Sequence, residues 1–178
     1  MKRIFAPIIL LLIAVSGFAQ VKQTVTKSTI TFKIKNLGIN TGGNISGLQA
    51  NILFDAAHLP TSVMDATVEA NTLNTDNNTR DTHLKGEEFF DVACFPKISL
   101  KSISFNHKSG DNYVGQFNLT MKDRTKAVEM TFTYTETGTT ALFKGSFKLN
   151  RTDFGVGGKS MVMSSDVTVD IELETTKG

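Results

Sequence analysis

Apolar residues recur at every second position in eight stretches of the chain, the period of a strand with one buried face. Ile30, Phe32 and Ile34 alternate with Thr31, Lys33 and Lys35. Leu48, Ala50, Ile52 and Phe54 form a second stripe, and Met64, Ala66, Val68 and Ala70 a third. Tyr113, Gly115, Phe117, Leu119 and Met121 share a face, as do Val128, Met130, Phe132 and Tyr134. Ala141, Phe143, Gly145, Phe147 and Leu149, then Val167, Val169, Ile171 and Leu173, complete the late stripes. Near residue 100 the phase slips: Ile98 and Leu100 are even, Ile103 and Phe105 odd. A bulge at Lys101-Ser102 predicts that both pairs share one face.

Turn residues separate several stripes, at His107 to Asp111, Lys122 to Arg124 and Glu136 to Gly138. Short connections favour antiparallel neighbours, and eight strands with one wet face predict an up-and-down barrel. A two-sheet sandwich is the competing architecture. Its immunoglobulin form usually carries a Trp and a cysteine pair, and this chain has neither. Two stretches break the rhythm. Asn71 to Pro96 shows no alternation and predicts a short helix over 77–85, capped by Asp76, with Lys85 in its last turn and Gly86 as its stop. One further turn is expected at Glu87 to Asp91. Arg151 to Ser160 is Gly-rich and irregular. Long excursions in compact domains are usually functional or cover an opening.

Residues 1–19 have the form of a secretory signal peptide. Lys2-Arg3 precedes an apolar run from Ile4 to Val15, and Gly17 and Ala19 stand at −3 and −1 of a cut after Ala19. The run is shorter than the roughly 20 residues of a membrane span. This places a single domain at 20–178, exported, in the periplasm or secreted. Lys2 and Arg3 carry the whole net charge of +2. The remainder is neutral, which argues against a nucleic-acid partner. One cysteine excludes an internal disulfide and a multi-cysteine zinc site. Cys94, among Val92, Ala93 and Phe95, is expected to be buried; exposed, it would offer a route to a dimer.

An eight-stranded barrel either fills with its own side chains or holds one small ligand. The inward stripes carry Phe32, Phe54, Phe105, Tyr113, Phe117, Phe132, Phe143 and Phe147, with Met64 and Met130. No formal charge interrupts them. Each methylene buried there contributes about 0.8 kcal/mol, so a long apolar tail needs no polar help. The same stripes equally describe a packed core. Gly115 and Gly145, inside them, leave room for a ligand or for close backbone approach. Among polar residues, Arg80, Asp81 and His83 fall on the short helix and Arg151 and Asp153 in the Gly-rich loop. Either arginine suits an anionic head group through a forked hydrogen bond. Alternatively, Arg80–Asp153 or Arg151–Asp81 pairs hold a lid. Tyr113 and Tyr134 are further candidate donors to a head group. Catalytic readings are poor. His58, His83 and His107 lack metal-ligand spacing, residues two apart such as Asp81 and His83 do not face each other on a helix, and no nucleophile elbow is present. No cofactor, metal or catalytic residue is expected.

Several motifs resemble one family in order and spacing: Ser28-x-Ile30-x-Phe32; Thr75-x-Asn77-x-x-Arg80-Asp81-x-His83-Leu84; Phe89-Phe90-Asp91 with Phe95-Pro96; and Arg151-x-Asp153-Phe154-Gly155. The chain is similar in this way to YceI-like proteins from about Thr26 to Leu173. The resemblance implies an eight-stranded, lipocalin-like antiparallel barrel with a short helical insertion. It implies a periplasmic protein, often a homodimer, that binds a polyisoprenoid, an isoprenoid quinone or a similar long-chain lipid. A carrier, storage or protective role follows, without catalysis, and with transient membrane contact for exchange. The alternative is a filled barrel acting as an envelope-stress or interaction protein. Two positions depart from the family. Met121-Lys122-Asp123 stands where a Gly is common, and Asn36-Leu37-Gly38 where a His is often found.

Overall fold

The computed structural model describes residues 21–178. The expected leader and its cut lie outside them. The strands are β1 (Gln23–Asn36), β2 (Ile39–Ile45), β3 (Gln49–Leu53), β4 (Val63–Glu69), β5 (Lys97–Ser109), β6 (Asn112–Met121), β7 (Arg124–Thr137), β8 (Thr140–Asn150) and β9 (Met163–Lys177). One helix, α1 (Asn78–Lys85), lies between β4 and β5. Neighbours from β3 to β9 pair antiparallel in sequence order, and β9 returns to β1 along nearly its whole length. The sheet therefore closes, and no sandwich forms.

β2 is the strand that hydrophobic alternation does not reveal. It pairs with β1 from Ile30–Ile45 to Asn36–Ile39, and β3 joins the same strand in the same register at Gln23–Ile52. β2 and β3 are thus two halves of one barrel strand, broken at Ser46-Gly47-Leu48, so the barrel has eight strands. The break is pinned by the Thr72 hydroxyl, which donates to the Ser46 carbonyl at 3.0 Å and accepts from its N–H at 2.9 Å. β2 is Gly-rich because it is tightly flanked: a Cβ on Gly42 would lie 2.1 Å from the Phe32 carbonyl oxygen.

The bulge in β5 is present, one residue later than the phase slip suggested. Ser102 faces Phe117 and Ser104 faces Gln116, so Ile103 is the extra residue. Ile98, Leu100 and Phe105 point inward, but Ile103 is 56% exposed. The expectation that it joins Phe105 inside fails because the inserted residue is the one that restores the phase.

Hydrophobic packing is uneven along the barrel axis. At the end where β1 begins and β9 finishes, Phe54 is ringed edge-on by Phe105, Tyr113, Phe132, Tyr134 and Phe143, with centroids 4.9–5.6 Å away. Such pairs add about 0.5–1.5 kcal/mol each beyond area burial. Below the rings, buried Gln23 donates to the Phe54 carbonyl at 3.0 Å and accepts from the Thr175 hydroxyl at 2.7 Å. The Tyr134 hydroxyl donates to Glu136, which also accepts from Lys177 at 2.6 Å. Burial first, then Glu136, raises the Tyr134 pKa, so the phenol stays protonated. These two polar clusters close this end and make it a plug.

Candidate functional site

Beyond the plug the barrel is hollow. A cavity of about 250 Å³ occupies the other half, with an almost wholly apolar wall. Phe32, Met64, Phe117, Met130, Phe132, Phe143 and Phe147 line it, as the stripes predicted. Phe54, Phe105 and Tyr113 do not. They lie inside the plug, packed ring against ring, and alternation fixes a residue's face but not its height along the barrel. The packed-core and cavity readings are each true of one half. The inner glycines also need correcting. A Cβ on Gly115 would sit 2.4 Å from the Phe117 ring, and one on Gly145 would sit 2.7 Å from the Met130 sulfur. Their space is taken by neighbouring side chains, though Gly145 itself lies on the cavity wall.

Two irregular segments roof the cavity. The first, between β4 and β5, is closed at its base by the Ala70 N–H donating to the Pro96 carbonyl at 2.8 Å. It lowers Leu73, Leu84, Phe89 and Phe90 onto the cavity. None of these carried a period; the Phe89-Phe90 pair in a polar stretch was the available signal. The helix is capped by Asn77, whose side chain accepts from the Arg80 N–H at 2.9 Å, and not by Asp76. Asp76 is left-handed (φ 59°) and donates its N–H to the Asn74 side chain instead. The turn after the helix forms as expected, with the Phe89 and Asp91 N–H groups both donating to the Gly86 carbonyl.

Asp81 is buried and accepts from the N–H and the hydroxyl of Thr75. Arg80, largely exposed but on the cavity wall, donates through Nε to the Thr75 hydroxyl at 2.7 Å and through Nη2 to its carbonyl at 2.6 Å. The expected Arg80–Asp153 and Arg151–Asp81 pairs are therefore absent, because Thr75 engages both helix residues. His83 is exposed outside the cavity, edge-on to Phe89 at 5.0 Å. Asp153 is exposed and off the cavity wall. Tyr113 and Tyr134 sit in the plug, off the cavity wall.

The second roof segment is the Gly-rich loop. Phe154 and Val156 are buried, and Val156 and Met163 reach the cavity. Arg151 is only 4% exposed and lies on the wall. It donates through Nε to the Ser164 carbonyl at 2.9 Å and through Nη1 to the Val156 carbonyl at 2.8 Å, while Nη2 has no partner. Burial lowers its pKa, but a guanidinium stays protonated in proteins.

The two segments are fastened to each other. The Gly157 N–H donates to the Glu88 carbonyl at 2.9 Å. Gly157 is left-handed, and a Cβ there would lie 2.7 Å from the Phe89 ring and 2.8 Å from Arg151 Nη1. Lys122 links them from the β6–β7 turn: its ammonium donates to the carbonyls of Glu87 at 3.0 Å and Gly155 at 3.4 Å. Lys122 itself is left-handed (φ 54°). A left-handed position suits glycine best; the lysine here adds a fastening between the two roof segments.

Cys94 is exposed, contrary to expectation. The chain around it is a surface turn in which the Cys94 and Phe95 N–H groups donate to the Asp91 carbonyl. Phe89 and Phe90, earlier in the segment, take the inward positions. The charge of Asp91 raises the Cys94 pKa.

A closed antiparallel barrel, plugged at one end and roofed over an apolar cavity at the other, is a container for a greasy molecule by its construction. The chain belongs to the YceI-like family, whose family model matches residues 22–175. A UPF0312 protein of Shewanella sp. (strain W3-18-1) is 31% identical, over 83% of this chain and 81% of its own. Among solved structures, Burkholderia cenocepacia BcnA superposes with a TM-score of 0.81 at 21% identity, covering 86% of this chain and all of that one. A polyisoprenoid binding domain from Saccharophagus degradans, implicated in plant cell wall breakdown, superposes with a TM-score of 0.69 at 13% identity, over 89% and 99% of the two chains. At these identities the structural likeness establishes the shared fold.

Proposed function

We propose that this protein holds a polyisoprenoid, isoprenoid quinone or similar long-chain lipid inside the barrel and carries, stores or protects it after export to the periplasm. The observation that carries this reading is the apolar cavity of about 250 Å³ between an aromatic plug and a fastened roof. Family membership and the likeness in fold to the polyisoprenoid binding domain of Saccharophagus degradans support it. The role is binding rather than catalysis, since Asp81 is engaged by Thr75 and His83 points away from the cavity. Ligand exchange would use transient contact with a membrane, and a homodimer fits the same role.

Native mass spectrometry with organic extraction, on protein purified from its own host, tests this. A co-purifying lipid of defined mass is expected, and delipidated protein should regain mass with prenyl lipids. No mass shift and no thermal stabilisation at saturating lipid would overturn the proposal.

A further inference from the structure

The cavity wall is apolar except at its roof, where one group is out of place. Arg151 Nη2 is the one buried side-chain nitrogen or oxygen among the described residues that lacks a hydrogen-bond partner. Two backbone carbonyls hold the other nitrogens of the guanidinium and fix its plane. Its rotamer is therefore set before any ligand arrives, with both N–H donors of Nη2 and the second of Nη1 left over. Leaving donors of a charged group unmet in a greasy cavity is costly, and native proteins rarely do so without a purpose.

The charge is unmet as well. Asp81 is taken by Thr75, Asp153 is exposed, and Asp65, the carboxylate residue on the cavity wall, accepts from the N–H and hydroxyl of Ser102. Arg80 adds a second guanidinium to the same wall. A neutral head group would satisfy a donor but leave the charge; an anionic one satisfies both.

We propose that Arg151 is the head-group site of this barrel and that the lipid it holds is acidic, with a carboxylate or phosphate oxygen accepting from Nη2. The head then lies under the roof, and the tail runs down toward Phe132 and Phe143 at the plug. The proposal deepens the lipid-holding reading and rests on it.

The test compares three ligands with one twenty-carbon prenyl tail: geranylgeraniol, geranylgeranoic acid and geranylgeranyl monophosphate, each titrated into delipidated full-length protein. A net charge-assisted hydrogen bond predicts that an acidic ligand binds roughly ten- to a hundredfold more tightly than the alcohol. Preference for the acid or for the phosphate identifies which anion is read. Arg151→Met should bring the ratio close to one. Because that change also frees two carbonyls, its melting temperature is measured alongside, and Arg151→Lys, which keeps the charge without the fork, should retain an intermediate preference. If Arg151→Met does not fold, the wild-type ratio and the lysine variant decide. Equal affinities in the wild type would mean that solvent satisfies Nη2 and would overturn the proposal. So would a preference that survives Arg151→Met and disappears in Arg80→Met. If none of the three ligands binds, the lipid-holding reading itself falls; loss of selectivity alone leaves it standing.

Discussion

Replacing Ala66 by Leu distinguishes a hollow barrel from a packed one by the sign of the stability change. Ala66 faces the cavity on β4, directly opposite Ala50 on β3 and beside Leu100 on β5, so the wall is thin there. At about 24 cal/mol per Å³, an empty cavity of 250 Å³ forgoes roughly 6 kcal/mol of packing, which bounds what filling it returns. Leucine adds three carbons at about 0.8 kcal/mol each and costs about 0.5–1 kcal/mol in side-chain entropy. Delipidated Ala66→Leu should thus be about 1.5 kcal/mol more stable than delipidated wild type. In urea titrations the midpoint should rise at constant slope, and affinity for a long prenyl lipid should fall. A solid interior would instead be overpacked, at a cost of about 1–3 kcal/mol. Destabilisation with undiminished lipid affinity would refute the cavity argument.

Two other changes probe the plug. Gly115→Ala drives a methyl into the Phe117 ring and against Phe105 of the plug, so Phe117 must be displaced toward the cavity it lines. Overpacking should outweigh the gain from replacing a strand glycine and lower stability by about 1–2 kcal/mol, read by chemical denaturation; a stability gain would show that the rings have slack. Glu136 lies below its usual pKa, chiefly through its bond from Lys177 and then that from Tyr134. Its contribution is therefore complete above the ordinary glutamate value of 4.5 and is lost as pH falls through the depressed native value. Its partial exposure keeps the effect under about 1 kcal/mol. Glu136→Gln should flatten the acid side of the melting-temperature profile, and an unchanged profile would show that the pair contributes nothing.

Much of the barrel was legible because strand periodicity is a local property. A residue such as Phe147 must face inward once Lys144, Ser146 and Lys148 face water, whatever the rest of the chain does. β2 escaped because its sequence answers to two close neighbours, the Phe32 carbonyl and the Asn74 carbonyl, rather than to an apolar interior. The roof was legible only as an interruption. Its inward residues, Leu73, Phe89, Phe90 and Val156, owe their position to long-range fastenings such as Gly157 to Glu88 and Lys122 to both segments. Cys94 shows the same limit, since apolar neighbours in sequence did not become neighbours in space.

From the sequence alone follow eight inward-facing stripes, antiparallel order, one bulge, a short helix and family membership. Those depend on contacts within a few residues or on motif spacing. Tertiary structure decided which inward aromatics pack into a plug and which enclose a cavity, because height along the axis depends on strand tilt and closure. It also decided the fate of the charged residues. Thr75 occupies Arg80 and Asp81, while Arg151 is buried with one nitrogen unpaired. A guanidinium's partners are set by which carbonyls and carboxylates the fold brings within hydrogen-bond reach, and those lie far from it in sequence or across a turn whose shape the sequence did not reveal.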